Sequence, residues 1–130
     1  MDGRGGPHAH TRRPVVWEGS AKADFKAFPT PVQKDMGVAL FVVQLGGMPP
    51  SAKPWHGLGA GVFELAEDHA GGTYRCVYIV RFADAIHVLH AFQKKSKRGR
   101  KTPKSDVDMA ERRLKALIKR RQAAADVRGS

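Results

Sequence analysis

Residues 73–95, TYRCVYIVRFADAIHVLHAFQKK, read as one β-hairpin. Tyr74 to Arg81 is dense in aromatic and β-branched residues, which suit a pleated, half-buried surface, and Ala85 to Lys95 is a second run of the same kind. Phe82-Ala83-Asp84 between them is short enough for a tight connection. The register set at this turn decides which side chains meet. A two-residue turn at Ala83-Asp84 pairs Phe82 with Ala85 and puts Arg75 on one face with Lys94; a three-residue turn puts Arg75 with Lys95 instead. The hairpin ends in Lys94-Lys95 and runs into SKRGRK, so a buried sheet delivers cations at its edge.

Upstream of the hairpin, the segment Lys53 to Gly61, KPWHGLGAG, is a Gly-rich loop that leads into a strand over Val62 to Glu67, and Asp68 to Gly72 turns into the hairpin. The loop matches neither GxxxxGK[ST] nor a GxGxxG that opens a helix, so it is no nucleotide cradle. Earlier, Thr30-Pro31-Val32-Gln33 has the form of a capping box with Pro at the first helical position. A helix follows from Pro31 to about Leu45, with Val32, Met36, Ala39, Leu40 and Val43 on its apolar face, and Gly46-Gly47 ends it. Met48 to Pro54 reads as a Pro-rich loop. Ser20 is an N-cap for a short helix over Ala21 to Phe28, stopped before Pro29. Pro14 to Trp17 is a first strand.

Downstream, Ser96 to Lys101 is an exposed basic loop, and Thr102-Pro103 starts a last helix whose apolar stripe is Val107, Ala110, Leu114, Leu117 and Ile118. The expected order is β-α-α-β-β-β-α, an α+β domain with a mostly antiparallel sheet. The domain spans residues 14–122, between a disordered tail at 1–13 and a frayed tail at 123–130.

The 130 residues fit one domain with one core. No apolar run reaches the roughly 18 residues that span a bilayer, and the start MDGRGGPHAHTRR has no apolar stretch, so a cytoplasmic location without membrane contact is the expectation. The single cysteine, Cys76, reads as a small buried core residue. Scattered His and one Cys give no metal-ligand spacing, so neither metal nor cofactor is expected. The net charge is +11. Its placement is informative: thirteen Lys and Arg lie from Lys94 to Arg121 against three acids, Asp106, Asp108 and Glu111. A basic block of this kind is the footprint of a phosphate-rich partner, with an acidic protein as the next choice.

The ordered set Phe28-Pro29, Gly37 with Ala39-Leu40, Gln44-Leu45-Gly46, Lys53-Pro54, Gly61 to Leu65, Tyr74-Arg75, Val88 to Lys95 and Thr102-Pro103 resembles the RelE/ParE superfamily of toxins from type II toxin–antitoxin pairs, in its phage-derived, HigB-like branch. The resemblance spans about residues 15 to 121, and VLHAFQKK followed by TPK is its most specific piece. It implies a RelE-like fold and a toxin held inactive by a cognate antitoxin, commonly a helix-turn-helix protein. Most such toxins cut mRNA on the ribosome and so inhibit translation; the ParE-like minority poison DNA gyrase. A basic module that binds nucleic acid without cleavage is the non-enzymatic alternative. By position, Lys53, Arg75 and Lys94 or Lys95 match the family's basic active-site residues. The end of this chain, RRQAAADVRGS, has no Tyr or His to serve as proton donor or base, and His56 and His90 are the substitutes.

Metal-free RNA cleavage uses the neighbouring 2′-hydroxyl as nucleophile. The protein must hold the phosphate in line, stabilise added negative charge and move two protons. Arg75 suits the first two tasks through its planar fork, unless it only pairs with Glu64 or Glu67 on the next strand. Lys53, Lys94 and Lys95 supply point charge. Trp55 and Phe92 can stack on a splayed base or pack in the core. Lys97, Arg98, Arg100, Lys101, Arg112 and Arg113 are the candidate ribosomal-RNA contacts, and His87 is read as structural.

Overall fold

In the computed structural model, which describes residues 12–94 and 101–129, one five-stranded sheet carries helices on both faces. The strands are β1 (Val15–Trp17), β2 (Ala52–Pro54), β3 (Val62–His69), β4 (Gly72–Ile79) and β5 (Ile86–Lys94), in spatial order β1-β5-β4-β3-β2. The helices are α1 (Ala21–Lys26), α2 (Thr30–Gln44) and α3 (Lys104–Gly129). β1 runs parallel to β5 and all other pairs are antiparallel. The α+β class and the mostly antiparallel sheet are therefore as the sequence reads.

Helix α2 places Val32, Met36, Ala39, Leu40 and Val43 against one sheet face, with Phe25 and Phe28 beside them and Leu65, Cys76, Tyr78, Ile86 and Val88 beneath. Helix α3 covers the other face with Ala110, Leu114, Leu117 and Ile118 over Trp55, Val62, Val77, Ile79, Leu89 and Phe92. Val107, expected in that stripe, is 37% exposed near the start of the helix. Each large side chain fully withdrawn from water contributes about 1.5–3 kcal/mol, so the helices are held by the sheet rather than by their own propensity.

Several local expectations differ. The segment read as a Pro-rich loop contains β2. Pro54 is tolerated there because β2 is an edge strand and its missing N–H faces no partner. The capping box does not form. Thr30 is already helical after the extended Pro29, and no side chain caps the helix. The Gln33 side-chain amide instead donates to the carbonyls of Lys26 (2.9 Å) and Phe28 (2.8 Å), at the end of α1. That end leaves carbonyls without helical partners, and Gln33 satisfies them. Ser20 likewise makes no cap; its hydroxyl donates to Asp24 Oδ2 at 2.8 Å, and α1 stops at Lys26. Arg13, expected to lie in the tail, is bound into the domain: its guanidinium donates to the carbonyls of Val80 and Phe82, each at 3.0 Å, and Gln44 holds the Arg13 carbonyl at 2.7 Å. Helix α3 continues to Gly129, beyond the 122 expected.

The hairpin register answers the question the turn left open. Near the turn Ile79 faces His87 and Tyr78 faces Val88, the register of a three-residue turn. Leu89 is then an extra residue, and from Val77↔His90 onward the pairing is that of a two-residue turn, with Arg75 opposite Phe92 and Thr73 opposite Lys94. The bulge shifts β5 by one residue, and so decides which side chains share a face.

Candidate active site

Opposed residues in adjacent strands share a face, and faces alternate with period two. Lys53↔Glu64, Glu64↔Val77↔His90, Ala66↔Arg75↔Phe92 and Thr73↔Lys94 therefore place Lys53, Glu64, Arg75, His90, Phe92 and Lys94 on one face, drawn from four strands. This is the face that α3 covers at its other end. Lys53 is exposed and Arg75 and Lys94 are half-buried, so cations line the margin where the helix leaves the sheet open.

Arg75 Nη1 donates to Glu64 Oε1 at 2.5 Å, with the two side chains 14% and 11% exposed. The Arg75 Nε is buried and has no partner among the described residues. The guanidinium is thus committed to Glu64 through Nη1 and carries one donor, Nε, that is closed off from solvent. Burial pushes the Lys94 pKa below the ordinary lysine value; the Arg75 and Lys53 charges add to this, and Glu64 opposes it. Those groups therefore act on one another through space as one cluster.

The other candidates are distributed differently. His90 is buried and stacks on Phe92 with ring centroids 5.0 Å apart, and its Nε2 lies 2.8 Å from Asp106 Oδ1 on α3. Its Nδ1 has no partner among the described residues. His56 is exposed in the β2–β3 loop, beyond the row of Val62. The loop itself is pinned by Arg81, which donates to the carbonyls of Leu58 and Ala60. Trp55 is buried under α3 and packs in the core. Phe92 is 7% exposed and walls the cluster. Arg112 is exposed on α3. Arg113 turns inward, donating to the Leu89 carbonyl (3.0 Å) and Ser20 Oγ (2.9 Å). Lys101 is exposed; Lys95, Lys97, Arg98 and Arg100 lie outside the described residues.

His87 has a structural setting, as read: its Nδ1 lies 2.8 Å from Glu18 Oε2, while Arg120 of α3 holds Glu18 Oε1 at 2.6 Å. Arg121 adds a second clamp, bonding Asp84 and lying 4.0 Å over the Phe82 ring. The residues that sequence reasoning undervalued are Glu64, weighed only as an ion-pair partner, and Asp106. Strand alternation alone put Glu64 on the face of Leu65's neighbours; nothing local announced that Lys53 would stand opposite it.

A family model of phage-derived Gp49-like proteins (DUF891) matches residues 23–115 of the chain. The chain belongs to that family, a RelE/toxin-like one. Among solved structures it is similar to a chain of the toxin–antitoxin complex RelBE2 from Mycobacterium tuberculosis, with 19% identity and a TM-score of 0.43 over 67% of this chain and 97% of that one. None of the curated proteins matches it. Among the described residues no helix is long and apolar enough to cross a membrane.

Proposed function

We propose that this protein is the toxin of a type II toxin–antitoxin pair and a ribosome-dependent endoribonuclease that cleaves mRNA in the cytoplasm. The observation that carries the reading is the cluster of Lys53, Glu64, Arg75 and Lys94 on one sheet face, where a carboxylate and three cations meet at an open margin. Family membership and the basic block support it. Arg75 grips the scissile phosphate, and Lys53 and Lys94 offset the charge that grows on its oxygens. Glu64 takes the proton from the 2′-hydroxyl as its oxygen bonds to phosphorus. Lys94, with its lowered pKa, gives a proton to the 5′-oxygen as the P–O5′ bond breaks. The products are a 2′,3′-cyclic phosphate and a 5′-hydroxyl. A helix-turn-helix antitoxin is the proposed inhibitor.

Primer extension on mRNA from cells making the protein tests this. Discrete new 5′ ends within codons are expected, and they should vanish in Arg75→Ala. Intact mRNA together with DNA-damage signals would move the reading to gyrase.

A further inference from the structure

Arg75 Nε, His87 Nε2 and His90 Nδ1 are buried side-chain nitrogens with no partner among the described residues. His87 stands near the start of β5. Arg75 and His90 lie in successive rows of the β4–β5 ladder, on the face that carries the cationic cluster. Arg75 is opposite Phe92 and His90 is opposite Val77, so the two are diagonal neighbours, within reach of long side chains. The ion pair of Arg75 with Glu64 runs to the same row, because Glu64 and His90 stand on either side of Val77.

Two contacts fix the His90 ring. It stacks on Phe92 with centroids 5.0 Å apart and planes 18° apart, which sets the plane of the imidazole. Its Nε2 lies 2.8 Å from Oδ1 of Asp106, in the first turn of α3. A carboxylate only accepts hydrogen bonds, so Nε2 carries the hydrogen and Nδ1 of the neutral ring is a bare acceptor. The other tautomer would put a buried donor one row from the buried Arg75 donor and its positive charge. Asp106 excludes that arrangement.

We infer that Asp106 is a positioning residue of the cluster: by holding His90 as its Nε2–H tautomer it keeps a neutral acceptor one row from Arg75, and so keeps the guanidinium seated on Glu64. The effect on cleavage rests on the nuclease reading. The test is heteronuclear NMR of the His90 ring nitrogens and the Arg75 Nε–H, beside single-turnover cleavage and thermal melts. Near neutral pH the wild-type protein should show hydrogen on His90 Nε2, none on Nδ1, and an Arg75 Nε–H protected from exchange. Asp106→Ala should mix the tautomers, move the Arg75 Nε–H signal and slow cleavage by up to about a hundredfold, the scale of a small misplacement at a reacting centre, with ribosome co-sedimentation unchanged. Asp106→Asn, which keeps one acceptor oxygen, should recover part of the loss. Lys104→Ala, exposed on the same turn and paired with Asp108, should change none of these readouts. If Asp106→Ala does not fold, the wild-type tautomer alone decides. Hydrogen on His90 Nδ1 in the wild type, an Arg75 Nε–H signal indifferent to Asp106→Ala, or a cleavage loss matched by loss of folded protein would overturn the inference. The expected NMR changes in a protein that cuts no RNA would sink the nuclease reading and leave the positioning role standing.

Discussion

Arg75 and Glu64 form their ion pair diagonally: Arg75 stands opposite Ala66 and Glu64 opposite Val77, and the guanidinium reaches back one step along β3. Diagonal neighbours lie within reach of long side chains, and the reach leaves the Arg75 Nε without a partner among the described residues. Removal of Arg75 should act on two quantities. Arg75→Ala should lower cleavage by about 10²–10³, or ~3–4 kcal/mol of transition-state stabilisation. It should also lower stability by about 1–3 kcal/mol, because Glu64 then lies buried without its donor. Single-turnover cleavage and denaturant melts on one preparation separate the effects; lost stability with full activity per folded molecule would make the pair purely structural.

Lys94 carries a pH signature. Its folded pKa lies below the ordinary lysine value, first through burial and then through Arg75. The unfolded chain therefore binds this proton more tightly. Its cost to folding is present below the folded pKa and is relieved as pH rises through the window up to the unfolded value. Lys94→Met should raise stability at neutral pH and remove cleavage. NMR titration of lysine side-chain amines should find Lys94 losing its proton below the ordinary lysine range; a Lys94 that titrates at or above that range would count against the cluster.

Cys76 should be inert. Burial pushes its thiol up to about 12 and no atom of it reaches solvent, and the thiolate is the reactive form. A disulfide-exchange reagent should label the protein only at the rate of unfolding. Rapid labelling under native conditions would show that the sheet opens locally at β4.

Glu18 joins three elements, receiving Arg120 of α3 on one oxygen and His87 of β5 on the other. Glu18→Ala should destabilise by about 3–5 kcal/mol, as expected when one member of a buried charged network is removed. Arg120 is 58% exposed in its side chain, but Arg120→Ala leaves the buried Glu18 carboxylate without its guanidinium donor and should cost about 1–3 kcal/mol. Thermal melts of both variants check the ranking.

The basic block should position the protein rather than react. Replacing Lys97, Arg98, Arg100 and Lys101 by Gln should flatten the log–log salt dependence of ribosome binding by up to about 3–3.5 units, since each phosphate contact contributes roughly 0.7–0.9. Cleavage at saturating protein should survive. Normal co-sedimentation across a salt series with lost cleavage would reverse this division of roles.

Local chemistry was enough to find the helices, the hairpin and the basic block. The stripe Val32, Met36, Ala39, Leu40 and Val43 repeats at helical period, and the core face of α2 follows from that spacing alone. The density of β-branched residues from Tyr74 onward marks a strand whatever it pairs with. What pairs with what is a different kind of information. A bulge at Leu89 is one residue of slack in a ladder, with no composition of its own, yet it puts Lys94 on the Arg75 face. The capping motif at Thr30 was outcompeted because Gln33 met the open carbonyls at the end of α1, two elements folded against each other. His56 and Trp55 sit three and two residues from Lys53 in sequence. Strand alternation and the β2–β3 loop send one into solvent and the other under α3. A site assembled from four strands depends on register, and register is settled only when the two faces of the sheet are buried together.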